Sequence, residues 1–504
     1  MARIIASVFA ESREQVVRKA AVAAMAGADW LELRLDRWPA GQDLAATIAA
    51  VRLPVLVACR PPEEGGHFRG THGERRELLS AALEAGAQGI DVEGSETWMP
   101  PVGRTRIKLR IRSFHSWTGV PRELAAIRDR LHAQPGCIAK VVVTAHDLAD
   151  AAPVLDLLQT TDQEAQPTIA FAMGRTAWPT RVLSAVLGSP FVYGRIDDGT
   201  EATAPGQMTV ELLAGLYRVH ELGPTTSIYG LLGNPALQSV GPWLHNRAFR
   251  RLGVDGIYLP FETSRPEAVL AMLPKRLLRG LSVTSPHKGT MVDVCHRLGD
   301  EAAACEAVNT LVCEAHGQLV GHLTDIVGVQ RALHDAAVQV SATRTAVVFG
   351  TGGAARAAAF ALKSLGFATT MLGRSVEPLR PFAQRHGVQL GSLSERVLGE
   401  LRPAVVVNAT PVGSAGREGE ERLVPGWQPA AGTTVLDMVY RPAWTKLLRD
   451  AAAAGATVVP GLAMFLHQAA AQLRLFTGKE LPIAMLQGCL AGVGAGKAPP
   501  ADSA

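Results

Sequence analysis

Lys140 stands in the run CIAKVVV with apolar residues on both sides, the pattern of a buried strand. Burial disfavours an ammonium, so a lysine there is either paired with an acid or has a lowered pKa. A neutral amine in that setting attacks a ketone and forms an iminium, which acts as an electron sink. His115, in RIRSFH, titrates near neutrality; it suits taking an α-proton and returning a proton to a departing hydroxyl. Taken singly, Lys140 equally fits a strand-end lysine that snorkels to solvent, and His115 a hydrogen-bonded loop histidine.

A second run with chemical content is VVFGTGGAARAAAFALKSLG, residues 347–366. Small residues where a strand turns into a helix let backbone N–H groups and the helix start approach a pyrophosphate. The next strand, TTMLGRS, carries Arg374 where NAD-binding proteins usually have an acid. A guanidinium there suits a 2′-phosphate and favours NADP over NAD, although a solvated surface arginine looks the same in sequence.

Stepping outward from these residues, eight short β-rich runs fill residues 1–215: IIASVF, WLELRL, PVLVACR, GIDVE, RIKLRIRSF, CIAKVVVTA, TIAFAMG and FVYGR. Segments with helical spacing, such as REQVVRKAAVAAMAGA and ERRELLSAALEAGA, separate them, which predicts a (β/α)8 barrel, with an open doubly wound sheet as the runner-up. In a barrel, catalytic groups gather at the C-terminal strand ends. Glu32 and Arg34 alternate on the second strand, Arg60 closes the third, His115 follows the fifth and Lys140 lies in the sixth. Arg181 follows the seventh, and Thr203 and Gln207 follow the eighth. The Gly-Pro break in RVHELGPTTS marks a boundary. The expected layout is a barrel over 1–220, then a two-domain α/β unit: a substrate domain of 227–335 plus 460–490, and a Rossmann domain over 336–459. A flexible tail, 491–504, ends the chain.

With 50 basic against 46 acidic side chains, scattered rather than striped, nothing argues for nucleic acid, while anionic small substrates fit. The six cysteines form no CxxC pair or Cys/His ligand spacing, so neither a metal site nor a disulfide framework is expected. A reducing, cytoplasmic setting follows, and no apolar run is long enough to suggest a membrane span.

In order along residues 29–207, DWLELRLD, Arg60 with EEGG, SFH, IAKVVV, MG with TR, and TAPGQ resemble the type I 3-dehydroquinate dehydratases. The resemblance implies that Lys140 forms a Schiff base with the C3 ketone, that His115 is the general acid/base and that Glu64 orients it. It places Arg181 on the substrate carboxylate, and Glu32, Arg34, Arg60, Thr203 and Gln207 on hydroxyls and carboxylate. Ala177 and Thr180 depart from the family's Gly and Ser, which predicts a more restricted seventh loop.

From 229 to 470 the runs YGLLGNP, PWLHNRAF, GLSVTSPHK, EAVNTL, LTDIVG, GTGGAARA, NATPVG, LDMVYRPAWT and PGLAMFLHQAA resemble the shikimate dehydrogenases. That resemblance implies a catalytic pair, Lys288 and Asp325, and substrate contacts from Ser239, Thr284, Asn309, Tyr440 and Gln468. It sets Gly350, Gly352, Gly353, Ala354, Arg374, Met438 and Gly461 along NADP. Gly241 replaces a family serine, which removes a carboxylate hydroxyl and opens the way to quinate; Leu323 replaces a frequent Asn, which predicts a looser loop before Asp325. The two resemblances share one intermediate. The first half makes 3-dehydroshikimate from 3-dehydroquinate and the second reduces it to shikimate with NADPH, in a monomer or homodimer without metal, nucleic acid or membrane. Quinate catabolism, or a binding protein that has lost its chemistry, are the alternatives.

Overall fold

The computed structural model describes residues 1–100, 107–197, 199, 203–204, 206–339, 344–415 and 422–493, so the expected tail lies outside the described residues from 494 on. The eight runs of the first half become β1 (Arg3–Phe9), β2 (Trp30–Arg34), β3 (Val55–Ala58), β4 (Gly89–Glu93), β5 (Leu109–Ser116), β6 (Ile138–Thr144), β7 (Thr168–Met173) and β8 (Phe191–Gly194). They form one parallel sheet in the order β7-β6-β5-β4-β3-β2-β1-β8. The sheet curls until its end strands meet, with the Phe171 and Tyr193 rings 6.3 Å apart, so the barrel is nearly closed.

Side chains alternate across each strand, and both faces here are buried. Outward residues such as Ile4, Leu31, Val57, Val141 and Ala170 pack under the helices. Inward residues change character with height: Ile5, Trp30, Leu56, Leu109, Ile111 and Phe191 fill the lower barrel with hydrocarbon. One or two steps further along the strands the inward positions are Ser7, Glu32, Asp91, Ser113 and Lys140, all buried. Ladder register fixes this layer, since Ser7 is opposite Glu32 and Ser113 is opposite Lys140.

The helices carry their own sequence signals. Arg13–Ala26 starts at Ser12, whose side chain accepts from Gln15 N, ends at left-handed Gly27, and buries Val16, Ala20 and Ala23 at helical spacing. His72–Glu84 opens with a Thr71/Glu74 capping box. The strand-helix alternation is not complete: among the described residues no helix separates β4 from β5, and a π-type turn, Leu212–Leu216, stands in the place of the eighth helix.

The second half opens with β9 (Ser227–Gly233), β10 (Gly256–Glu262), β11 (Leu278–Val283), β12 (Arg297–Leu298), β13 (Thr310–Cys313) and β14 (Leu319–His322), ordered β10-β9-β11-β13-β14-β12. Then come β15 (Thr345–Phe349), β16 (Ala368–Gly373), β17 (Gln389–Ser392), β18 (Val405–Asn408), β19 (Thr434–Asp437) and β20 (Thr457–Val459), all parallel in the order β17-β16-β15-β18-β19-β20. That is the doubly wound dinucleotide-binding order, with its switch point between β15 and β18. The helix Gly461–Thr477 returns to the earlier sheet, where Gln472 Nε2 donates to Asn309 O at 3.1 Å and the Tyr229 hydroxyl donates to Phe476 O at 3.2 Å. Among the described residues no helix is long and apolar enough to cross a membrane.

Leu473 of that helix is fully buried against Tyr229, Leu244 and Phe249. Leu473→Ala is expected to destabilise the second half by ~3 kcal/mol, read as a lowered denaturant midpoint with an unchanged slope.

Candidate active sites

A cleft at the C-terminal ends of the barrel strands is lined by Glu32, Arg34, Arg60, Glu64, His115, Lys140, Arg181, Thr203 and Gln207, so the structure brings every barrel residue singled out by sequence into one place. Two placements differ from expectation. His115 lies within β5 rather than after it, and Arg60 sits two residues beyond the end of β3. Lys140 is only 3% exposed. Its Nζ is 3.0 Å from Asp91 Oδ2, 3.8 Å from Glu32 Oε1 and 3.8 Å above the centre of the Tyr193 ring. Burial lowers its pKa, Arg60 adds to that, and Asp91 opposes it. Asp91 also takes Arg60 Nη2 at 2.7 Å; burial works to raise its carboxyl, but Lys140 and Arg60 prevail and hold it below its usual range.

His115 Nδ1 and its backbone N–H are both 3.1 Å from Glu64 Oε2. Burial, with Arg60 and Lys140 beside it, drives the imidazole pKa well below its usual value, so the ring is neutral at pH 7. Glu64 shifts the other way: burial, then repulsion from Glu93, raise its carboxyl to about 7. Arg34 is held by Asp36 through two bonds of 2.8 and 3.0 Å. Arg181 lies 4.1 Å above the Phe171 ring, its pKa lowered by burial to about 9. Thr203 Oγ1 is 2.9 Å from Ser7 Oγ and 3.0 Å from Gln207 Oε1.

Sequence reasoning passes over Asp91 and Glu93, although they alternate in GIDVE as Glu32 and Arg34 do in WLELR. That alternation of acids inside an apolar strand is the signal that finds them. The seventh loop corrects an expectation. Ala177 is buried and outside the left-handed region, so alanine sits there without strain, and the freedom that loop needs resides in Gly174 at φ +116. Thr180 Oγ1 accepts from Ala172 N at 2.9 Å and donates to Ala177 O at 2.7 Å, which makes its hydroxyl a brace of the loop.

In the second half Lys288 Nζ donates to Asp325 Oδ2, and Asp325 Oδ1 accepts from Asn309 Nδ2 at 2.8 Å. Asn309 also accepts Thr324 N at 2.8 Å and lies 3.5 Å from Gln468 Oε1. Leu323 therefore does not loosen this loop; it is buried, and the residues after it are tied to Asn309. Ser239 lies against the half-buried Tyr440, whose hydroxyl pKa is raised by desolvation. Thr284 follows β11, its N–H donating to Leu232 O at 2.9 Å. Gly241 N donates to Ser239 Oγ at 3.0 Å, and a Cβ at Gly241 would approach that oxygen to 3.1 Å.

The residues between β15 and β16 fit a dinucleotide. Gly350 has φ +121, and the helix Gly353–Ser364, after Gly352, has no side-chain cap, so the N–H groups of Gly353 and Ala354 remain for phosphate. Arg374 is exposed just past β16, where its neighbour Gly373 abuts Thr351 of the glycine turn. A Cβ at Gly353 would lie 3.2 Å from Lys288 Cβ, so this turn adjoins the Lys288 pair. Gly461 packs on the backbone of Asp437 and Val439, beside Met438, with 2.5 Å to Asp437 O from a Cβ placed there.

Comparison with known proteins agrees with both halves. Residues 4–224 match the family model for type I 3-dehydroquinase, 231–311 that for the shikimate dehydrogenase substrate-binding domain, and 461–484 that for the shikimate 5'-dehydrogenase C-terminal domain. The bifunctional 3-dehydroquinate dehydratase/shikimate dehydrogenase of Arabidopsis thaliana is 32% identical over 95% of this chain and 82% of its own. The chain belongs to that bifunctional family. Its activities are those of a 3-dehydroquinate dehydratase and an NADP-dependent shikimate dehydrogenase, two steps of the shikimate pathway. A shikimate dehydrogenase (NADP(+)) of Natronomonas pharaonis is 40% identical over 51% of this chain and 95% of its own. A solved shikimate dehydrogenase in complex with NADP+ is 28% identical, covering 53% of this chain and 94% of that one at a TM-score of 0.48.

The Glu64 and His115 shifts predict a pH dependence for the barrel site. A neutral ring beside a carboxyl titrating near 7 gains its negative neighbour as pH rises, so kcat/KM is expected to climb through about pH 7. Glu64→Gln is expected to erase that limb, and a pH–rate profile of the two proteins checks it.

Proposed function

We propose that Lys140 and Lys288 are the reacting lysines of two consecutive steps. The observation supporting this is that each is held by a buried carboxylate, Asp91 or Asp325, at the mouth of its own fold. In the barrel, the Lys140 amine condenses with the C3 ketone of 3-dehydroquinate, releasing water and forming an iminium. His115 takes the proton from C2, the electrons flow toward the iminium, and the C1 hydroxyl leaves as water with a proton returned by His115. Water then hydrolyses the iminium, freeing 3-dehydroshikimate and the amine. Glu64 steers the ring, Asp91 and Arg60 tune the lysine, and Arg181 grips the substrate carboxylate, with Glu32, Arg34, Thr203 and Gln207 on the hydroxyls.

In the second site, NADPH when bound would supply the hydride that the C3 carbonyl takes up. Lys288 donates a hydrogen bond and then a proton to the oxygen on which charge develops. Asp325, itself fixed by Asn309, keeps the ammonium aimed. Ser239, Thr284, Tyr440 and Gln468 orient the ring, while the turn from Gly350 to Ala354, with Met438 and Gly461, would hold the cofactor and Arg374 would pair with its 2′-phosphate. The division of the chain near residue 220, with a Rossmann unit over 336–459, follows from this assignment. A cytoplasmic setting is part of the same reading, supported by six free cysteines, which suit a reducing compartment.

Incubating the chain with 3-dehydroquinate and NADPH tests the assignment. NADPH oxidation is expected for the wild type and not for Lys140→Ala or Lys288→Ala; added 3-dehydroshikimate restores it only in Lys140→Ala. No oxidation by the wild type with either substrate refutes the reading.

Gly241 supports quinate as a second substrate, because it offers the carboxylate side no hydroxyl of its own. Quinate oxidation with NADP+ is expected above background, and Gly241→Ser is expected to shift kcat/KM toward shikimate by about tenfold, the worth of one hydrogen bond to a charged group. A quinate rate at background for both proteins rejects it.

A further inference from the structure

The segment from Glu262 to Arg265, at the end of β10, touches loops that neighbour each of the two sites. On the barrel side, Arg175 Nη1 lies 2.7 Å from Glu262 Oε1. The Thr263 hydroxyl donates to Asp147 Oδ1 at 2.5 Å, and Ser264 donates to Asp147 Oδ2 through its N–H and its hydroxyl, each at 2.9 Å. Arg175 follows Gly174 in the seventh loop, the one that leads into Arg181, and Asp147 lies just beyond the strand that carries Lys140.

On the dehydrogenase side, Glu262 Oε2 accepts the N–H groups of Ala236 at 2.7 Å and Leu237 at 3.0 Å. Those residues begin the turn that ends at Ser239. The carbonyl of Thr263 is 2.9 Å from His287 Nε2, next to Lys288. The Glu262 side chain is 4% exposed, so its charge is compensated by these few donors, while the Arg175 side chain is 45% exposed and free to follow its loop. A buried carboxylate held by two backbone donors fixes the segment that supplies them, and losing its guanidinium leaves that charge under-compensated.

We propose that Glu262 is a positioning residue for the carboxylate-binding turn of the dehydrogenase. Through it, Arg175 makes that turn respond to ligand in the barrel. Arg175 lies in the loop that runs directly into the helix of Arg181, so a substrate carboxylate seated at Arg181 alters how that loop, and through Glu262 the turn before Ser239, is held. The coupling is reciprocal, so shikimate changes affinity in the barrel by the same factor. This inference rests on Ser239 contacting the substrate carboxylate.

The test uses the full chain and reads shikimate oxidation with NADP+. Glu262→Gln and Arg175→Met are each expected to raise the KM for shikimate about fivefold with kcat within twofold, and the double variant no more than the larger single effect. Arg265→Ala, which removes half-exposed ion pairs with Asp150 and, at 3.7 Å, Asp147, is expected to leave KM within about twofold. In a Lys140→Ala background, where 3-dehydroquinate binds the barrel without turnover, that ligand is expected to shift the shikimate KM, and adding Arg175→Met is expected to abolish the shift. A shift that survives Arg175→Met is simple competition and overturns the coupling. So does an unchanged KM in both Glu262→Gln and Arg175→Met when Ser239→Ala raises it. An unchanged KM in Ser239→Ala overturns the carboxylate assignment instead.

Discussion

Lys140 can sit inside a barrel only because other charges share its cavity. An isolated buried ammonium is expensive enough that it would shed its proton or drag in water. Asp91, Glu32 and Arg60 change that balance by supplying two carboxylates, each within 4 Å of both the Lys140 ammonium and the Arg60 guanidinium. The same set leaves the amine's pKa below the ordinary lysine range, because burial and Arg60 outweigh Asp91. The cluster thus meets two demands at once, a stable buried charge and an amine that can lose it. Much of the barrel follows from this constraint. The apolar layer below isolates the cluster from the far end, and the register of the parallel strands sets Asp91, Lys140 and Glu32 at heights where their side chains converge.

The second site solves a milder form of the same problem. The Lys288 side chain is 15% exposed, so Asp325 need not offset full burial; its part is to fix direction. Asn309 does the fixing, by donating to Asp325 and accepting Thr324 N–H, and Gln472 of the returning helix holds Asn309's own carbonyl. The Lys288–Asp325 pair, one residue in the loop after β11 and the other at a helix start, is thereby locked by a helix from the far end of the chain. This is why the substrate unit needs residues from both sides of the dinucleotide-binding unit.

Most of this was legible in sequence because strands with two buried faces leave a strong signal: short β-branched runs at regular spacing. The polar residues inside those runs were legible where they broke hydrophobicity alone, as Lys140 does, and were missed where acids in GIDVE looked like an ordinary strand edge. Departures from family pattern misled in opposite directions. Ala177 read as restricting its loop and Leu323 as loosening one, yet Ala177 is buried outside the left-handed region and the residue after the buried Leu323 is tied to Asn309. The contact between Arg175 and Glu262, 87 positions apart, had no local signal at all.

That contact bears on why the two halves stay in register. β10 is the edge strand of its sheet, yet all seven of its residues are buried. An uncovered edge offers unpaired N–H and C=O groups to other chains, and proteins cover such edges. Here the barrel provides the cover. Arg218 donates to Gly256 O at 3.1 Å at the strand's start, the helix Pro179–Val186 packs along it, and Arg175 meets Glu262 at its end. The helix that covers the edge is also the one that carries Arg181. One face of that helix thus lines the barrel cleft while another covers the edge of the dehydrogenase sheet, so the two halves share a wall.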